Sequence, residues 1–181
     1  MSLFGDKQPG QLAAAKFVGK LRGKMKKFRD MIILAESAPK DGTGSVDIDS
    51  VSYSEIGMFV LSAAVWRIDS NPAIDLKPFF PVFGGTFIDD LERTAEKDGQ
   101  EISRKYIGAN FPDRYDEYSV VFNDHHQSTT GEEITDTGIQ ILWSLIVNAT
   151  NKEKPSDFVT ATLLIPELHK ALQDIYQIVD K

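Results

Sequence analysis

The chain has 181 residues, 41% of them hydrophobic and 26% charged, with a formal net charge of −7 and no cysteine. A chain of this length buries roughly 70% of the surface its unfolded form exposes, so a core forms without disulfides. The absence of cysteine excludes thiolate catalysis and thiolate metal ligation. The acidic balance argues against general nucleic-acid binding, and no apolar run approaches the about twenty residues of a membrane-spanning helix.

The N-terminus lacks the apolar stretch and small-residue cleavage site of a secretory signal, so the expectation is a cytoplasmic protein. The charge is divided along the chain: residues 1–40 carry a net +6 and residues 41–181 a net −13. Such a division predicts that the basic segment meets either an acidic surface of its own domain or an external polyanion.

The basic segment predicts a helix over 9–36. Phe17, Leu21, Met25, Phe28 and Ile32 recur in steps of four and three and make one apolar stripe. Lys16, Lys20, Lys24 and Lys27 follow along an adjacent line, and Arg22, Lys26 and Arg29 lie around the polar side. This basic amphipathic helix has three readings: a surface for a protein partner or an anionic membrane, a nucleic-acid arm, or the first core helix with a solvated back. Gly19 and Gly23 share one face, and close approach of another helix would account for both.

Residues 39–45 compose a loop and the best linker in the chain. Asp47 and Asp49 fail the calcium-loop pattern, which would put Tyr53 at the position that requires glycine. Ser52 with Glu55 three residues on resembles a capping box opening a helix to about residue 68, and its apolar residues spread widely enough to be buried on several sides. Residues 71–85 read as an irregular connection, in which Phe79, Phe80 and Phe83 need burial or a partner. A helix follows over 86–106, and residues 108–112 break the chain again. A short helix over 113–123 competes with a strand, because Val120, Val121 and Phe122 suit either.

Thr130 and Glu133 form a capping box before a helix that is clear over 138–149, with Ile139, Leu142, Trp143, Ile146 and Val147 on its buried side. Residues 158–165 share the β-branched bias of a strand, and Pro166 opens or interrupts a final helix over 166–180. The expected fold is therefore all-α, a single-domain irregular bundle of about five to seven helices, with 1–38 as core helix or appendage and 45–181 as an acidic helical domain. Strands near 118–123 and 158–165 would make it α+β instead.

No phosphate-binding glycine loop, nucleophile elbow or dinucleotide fingerprint is present. Two adjacent histidines, His125 and His126, stand beside Asp124, Glu132 and Glu133, and these five are the candidate ligands should a divalent metal be bound. No cofactor is otherwise expected. The leading expectation is a non-enzymatic interaction or accessory protein, engaging a protein partner or itself through Lys16, Phe17, Lys20, Leu21, Lys24, Met25, Lys27 and Phe28 or through Phe79, Phe80 and Phe83. A carboxylate/histidine metal enzyme and a peripheral membrane-surface protein are the alternatives.

Overall fold

A computed structural model describes residues 9–37, 51–71, 80–97, 102, 104–152 and 158–180. They form seven helices in chain order: α1 (Pro9–Ser37), α2 (Tyr53–Ser70), α3 (Phe80–Lys97), α4 (Arg104–Gln127), α5 (Gly131–Thr150), α6 (Phe158–Leu163) and α7 (Ile165–Val179). The fold is the expected all-α bundle. Both segments with strand character are helical, 118–123 inside α4 and 158–165 in α6 and the start of α7. β-propensity measures fit to a half-buried surface, and here Tyr118 and Phe122 find that surface on a helix. The expected linker at 39–45 lies outside the described residues, as do Asp47 and Asp49.

The middle of the core is α2. All its residues except Arg67, Asp69 and Ser70 are buried, and it packs against α1, α3, α4, α5 and α7. Ser52 caps it, its hydroxyl accepting from the Glu55 N–H at 3.3 Å. The reciprocal half of a capping box is not made, because the Glu55 carboxylate turns instead toward α4. Phe59 is the hub of an aromatic cluster, with ring centroids 5.0 Å from both Phe28 of α1 and Tyr118 of α4 and 5.6 Å from Phe122. Edge-to-face pairs of this kind add about 0.5–1.5 kcal/mol each beyond the area they bury. Trp66, one face farther along, meets Phe122 and Tyr176 of α7, while its indole N–H donates to Asn123 at 2.8 Å.

Three boundaries differ from those the sequence predicts. The connection expected over 71–85 is helical from Phe80 onward, because a proline in the first turn lacks only an N–H that has no helical partner there. The helix expected over 86–106 ends at Lys97, so it is shorter and starts earlier. The break expected at 108–112 falls inside α4, which continues through Gly108 and Pro112. An interior proline costs about 3 kcal/mol. Here the residue four positions before it, whose carbonyl the ring crowds, is a glycine on the exposed side, and burial of Ile107, Tyr118 and Phe122 offsets the cost.

The capping box at the start of α5 is complete, Thr130 accepting from the Glu133 N–H and Glu133 accepting from the Thr130 N–H. Asn151 ends the helix in the left-handed region at φ 53°, a conformation asparagine tolerates better than most residues. Along α5, Leu142 and Ile146 are buried, whereas Trp143 is 39% exposed and does not belong to the buried face expected for it. Pro166 opens α7, whose Leu168, Leu172, Ile175 and Val179 are all buried as their spacing predicts.

Candidate functional site

The basic helix is part of the core. Leu21, Phe28 and Ile32 are 0% exposed and Met25 2%, and they join one hydrophobic cluster with α2, α4, α5 and α7. As partner-facing residues, Leu21, Met25 and Phe28 are thus corrected: they are consumed inside the molecule, and entering a bilayer would require α1 to leave its own fold. Lys16 and Phe17 lie in the first half of α1, Phe80 and Phe83 in the first turns of α3, and Phe79 outside the described residues.

The two lines of bases flanking the stripe each meet acids of a neighbouring helix. On one edge Lys24 bonds Asp174 at 2.8 Å and Lys27 approaches Glu167 at 3.4 Å, an order that sets α1 and α7 antiparallel. The ammonium of Lys24 holds the Asp174 carboxyl below the usual carboxylate range. On the other edge Arg22 grips Asp90 of α3 through both carboxylate oxygens, at 3.0 and 3.1 Å. At its C-terminal end α1 is tied by the buried Glu36 to Lys152. The charge division therefore has an internal counterpart, and Lys20 and Lys26 remain exposed on the two edges.

Gly19 and Gly23 are not helix-packing positions. A Cβ placed on either meets nothing within 4 Å, and both face away from the core. They line a groove of about 420 Å³ between α1 and α7, with Lys20, Lys24, Asp174, Gln177 and Ile178. A second depression, of about 560 Å³, lies on the opposite edge among α1, α2 and α3.

The five metal candidates do not converge, and among the described residues no group of three or more His, Asp or Glu side chains is placed to hold an ion. Glu133 is committed to its cap, where bonds from the Thr129 N–H and the Thr130 N–H lower its carboxyl. Asp124 and Glu132 are exposed. His126 sets its ring edge-on to Trp66 at 5.5 Å, while His125 turns to His169 of α7, ring centroids 4.6 Å apart. His169, the third of the chain's three histidines, was invisible as a neighbour because it lies 44 positions away along the chain.

Hydrogen bonding assigns the protons of this pair. The Thr137 hydroxyl donates to the Glu133 carbonyl at 2.7 Å, so it accepts from His125 Nδ1–H at 2.8 Å and leaves Nε2 as a lone pair. His169 bonds the Ile134 backbone through its other nitrogen, and its Nε2 is buried without a partner. Burial, with the neighbouring His169 and His126, pushes His125 down to about 4, and burial likewise lowers His169. The cluster is a neutral joint between α4, α5 and α7.

A buried carboxylate fastens α2 to α4. Glu55, 1% exposed, accepts from Arg114 Nε at 2.8 Å and from the Tyr106 hydroxyl at 2.6 Å, and Arg114 continues to Glu117 at 3.3 Å. Asn148 of α5 donates to both Glu117 and the Tyr118 hydroxyl at 3.0 Å. With every member partnered, this network reads as a structural fastening, since breaking one partner of such a pair leaves an uncompensated buried charge. Neither member was legible as a pair in the sequence, being 59 positions apart. Comparison with protein-family models, curated proteins and solved structures returns no significant match. Among the described residues no helix is long and apolar enough to cross a membrane.

Proposed function

We propose that this is a non-enzymatic interaction or accessory protein, and that it receives an acidic segment of a protein partner in the groove between α1 and α7. The observation that carries the reading is a glycine shelf with a lysine at its rim: Gly19 and Gly23 leave space for a partner backbone, and the exposed Lys20 stands beside them. Two glycines in mid-helix cost about 1 kcal/mol each relative to alanine, and no internal packing offsets that cost here. Lys24 and Lys27 of this edge are held by Asp174 and Glu167, so their charge orients the groove while Lys20 supplies the contact.

The reading is tested by fluorescence anisotropy of a short Glu-rich peptide with the full chain at low and high salt. Binding weakens with added salt and falls about tenfold in Lys20→Glu, the loss of one charge-assisted contact, and a similar loss follows when Gly23→Leu fills the groove. Salt-insensitive binding, or binding untouched by both substitutions, contradicts it.

A further inference from the structure

Among the described residues, four of the six large hydrophobic side chains that are exposed gather on elements that touch. Leu34 of α1 is 56% exposed, Trp143 of α5 39%, and Val159 and Leu163 of α6 67% and 73%, and α6 packs against both α1 and α5. Val159 and Leu163 stand one turn apart, so they share the outer side of their short helix. Trp143 shares its stripe of α5 with Ile139 and Val147, one turn away on either side and both half-buried. The other two are placed differently: Val120 lies on α4, and Tyr106 gives its hydroxyl to Glu55.

The α5 and α6 parts of this face carry no charge. Between Asp136 and Lys152, and again between Asp157 and Glu167, the chain holds no Asp, Glu, Lys or Arg, although 26% of its residues are charged. At the margins, Glu167 and Lys152 are tied to Lys27 and Glu36 of α1. A charged partner therefore finds no counter-charge here. Two copies of a chain at −7 repel wherever their acidic surfaces meet, and they approach without that penalty only where charge is absent. Contiguous exposed apolar area marks an association surface, and tryptophan is among the residues that most often anchor one.

We propose that the α5–α6 face, with Leu34 at its border, is where two copies of this chain pair about a two-fold axis. Such a contact is isologous, so Trp143 of each copy is covered by Val159 and Leu163 of the other and both anchors are buried together. The charge-free stretch of α5 is only about 20 Å long. The pair is accordingly weak and reversible, at the low end of interface sizes. It does not depend on the groove between α1 and α7.

Sedimentation velocity of the full chain, from about 1 µM to about 500 µM, tests this. The expected result is a monomer at the low end and a dimer at the high end, with a Kd of about 10–100 µM. Added salt leaves it unchanged or tightens it, because screening removes repulsion between like-charged copies. Trp66 is 3% exposed, so acrylamide quenching of tryptophan fluorescence reports chiefly Trp143 and falls as the dimer forms. Leu163→Glu weakens the dimer at least about tenfold by placing a carboxylate in each half of an apolar contact, and Val159→Glu does the same. Both positions are exposed, and the thermal midpoint of each variant at about 1 µM matches that of the parent, which separates loss of pairing from loss of fold. Val120→Glu on α4 leaves the dimer unchanged, as does Lys20→Glu, so this proposal and the groove fail separately. A monomer throughout the range overturns the proposal. So does a dimer that survives both Leu163→Glu and Val159→Glu, a dimer that salt dissociates, or growth past two copies into larger species.

Discussion

Glycine shows most directly how one residue type serves opposite ends in this fold. Gly57 and Gly138 stand where backbone is approached: a Cβ would meet Leu91 Cδ1 at 2.7 Å in the first case, and Ile165 Cγ2 at 2.9 Å and His169 Nε2 at 3.0 Å in the second. Gly19 and Gly23 face open space. Alanine at Gly19 or Gly23 is therefore expected to stabilise the protein by about 1 kcal/mol each, through helix propensity and the lost freedom of the unfolded chain. Alanine at Gly57 or Gly138 is expected to destabilise it by about 1–2 kcal/mol, because overpacking exceeds the same gain. Thermal midpoints of the four variants check this, with about 2–4 °C per kcal/mol for a chain of this size. Stabilisation at Gly57 would show that Leu91 yields freely. The sequence could not separate the two pairs, since every glycine looks the same until its neighbours are known.

At the scale of elements, helices with a strong local signal were legible and those governed by tertiary packing were not. The stripe of α1, the capping box of α5 and the proline and apolar spacing of α7 are local facts, and each marks a helix that the structure contains. The α3 and α4 boundaries differ from those expected because neither Pro81 nor Pro112 breaks a helix where it stands. The first sits in an opening turn, where it is tolerated, and the second is overridden by the burial of α4 against α2. The joint of α4, α5 and α7 at the histidine pair makes a prediction of its own. His125 falls to about 4 in the fold from an ordinary value of 6.5, so between these pH values the unfolded chain binds more protons than the native one. Stability is accordingly full above about pH 6.5 and declines as pH falls toward 4. With discount for the solvent that reaches the pair, the loss is about 1 kcal/mol, or about 2–4 °C. The carboxyls of Asp174 and Asp180, held low by Lys24 and Arg67, lose their contribution only below that window. Thermal midpoints across pH 7 to 4 should flatten in the His125→Gln/His169→Gln double variant. An unchanged slope would place the acid sensitivity elsewhere.

For the whole molecule, the division of charge along the chain is the property from which most follows. It predicted that the basic segment meets either an acidic surface of its own domain or an external polyanion, and three ion pairs of α1 with α3 and α7 supply the first. What the sequence left open was whether α1 belongs to the core, because an amphipathic stripe has the same spacing whether it meets its own domain or another surface. The two depressions were illegible for a related reason: each combines α1 with an element that lies far from it along the chain, α7 for one and α3 for the other. The histidine pair likewise joins positions 44 apart, and the adjacent His125 and His126 diverge, as neighbours on a helix must. The proposed groove exists only if α1 is held in place by its buried face, with Val18, Leu21, Met25, Phe28, Met31, Ile32 and Ala35 all inside. The most direct test of that claim is to remove residues 1–37 and follow thermal unfolding and light scattering beside the full chain. The structure predicts loss of cooperative unfolding and aggregation through the uncovered flank of α2. A truncated chain that unfolds cooperatively at the same midpoint would contradict it and make α1 an appendage.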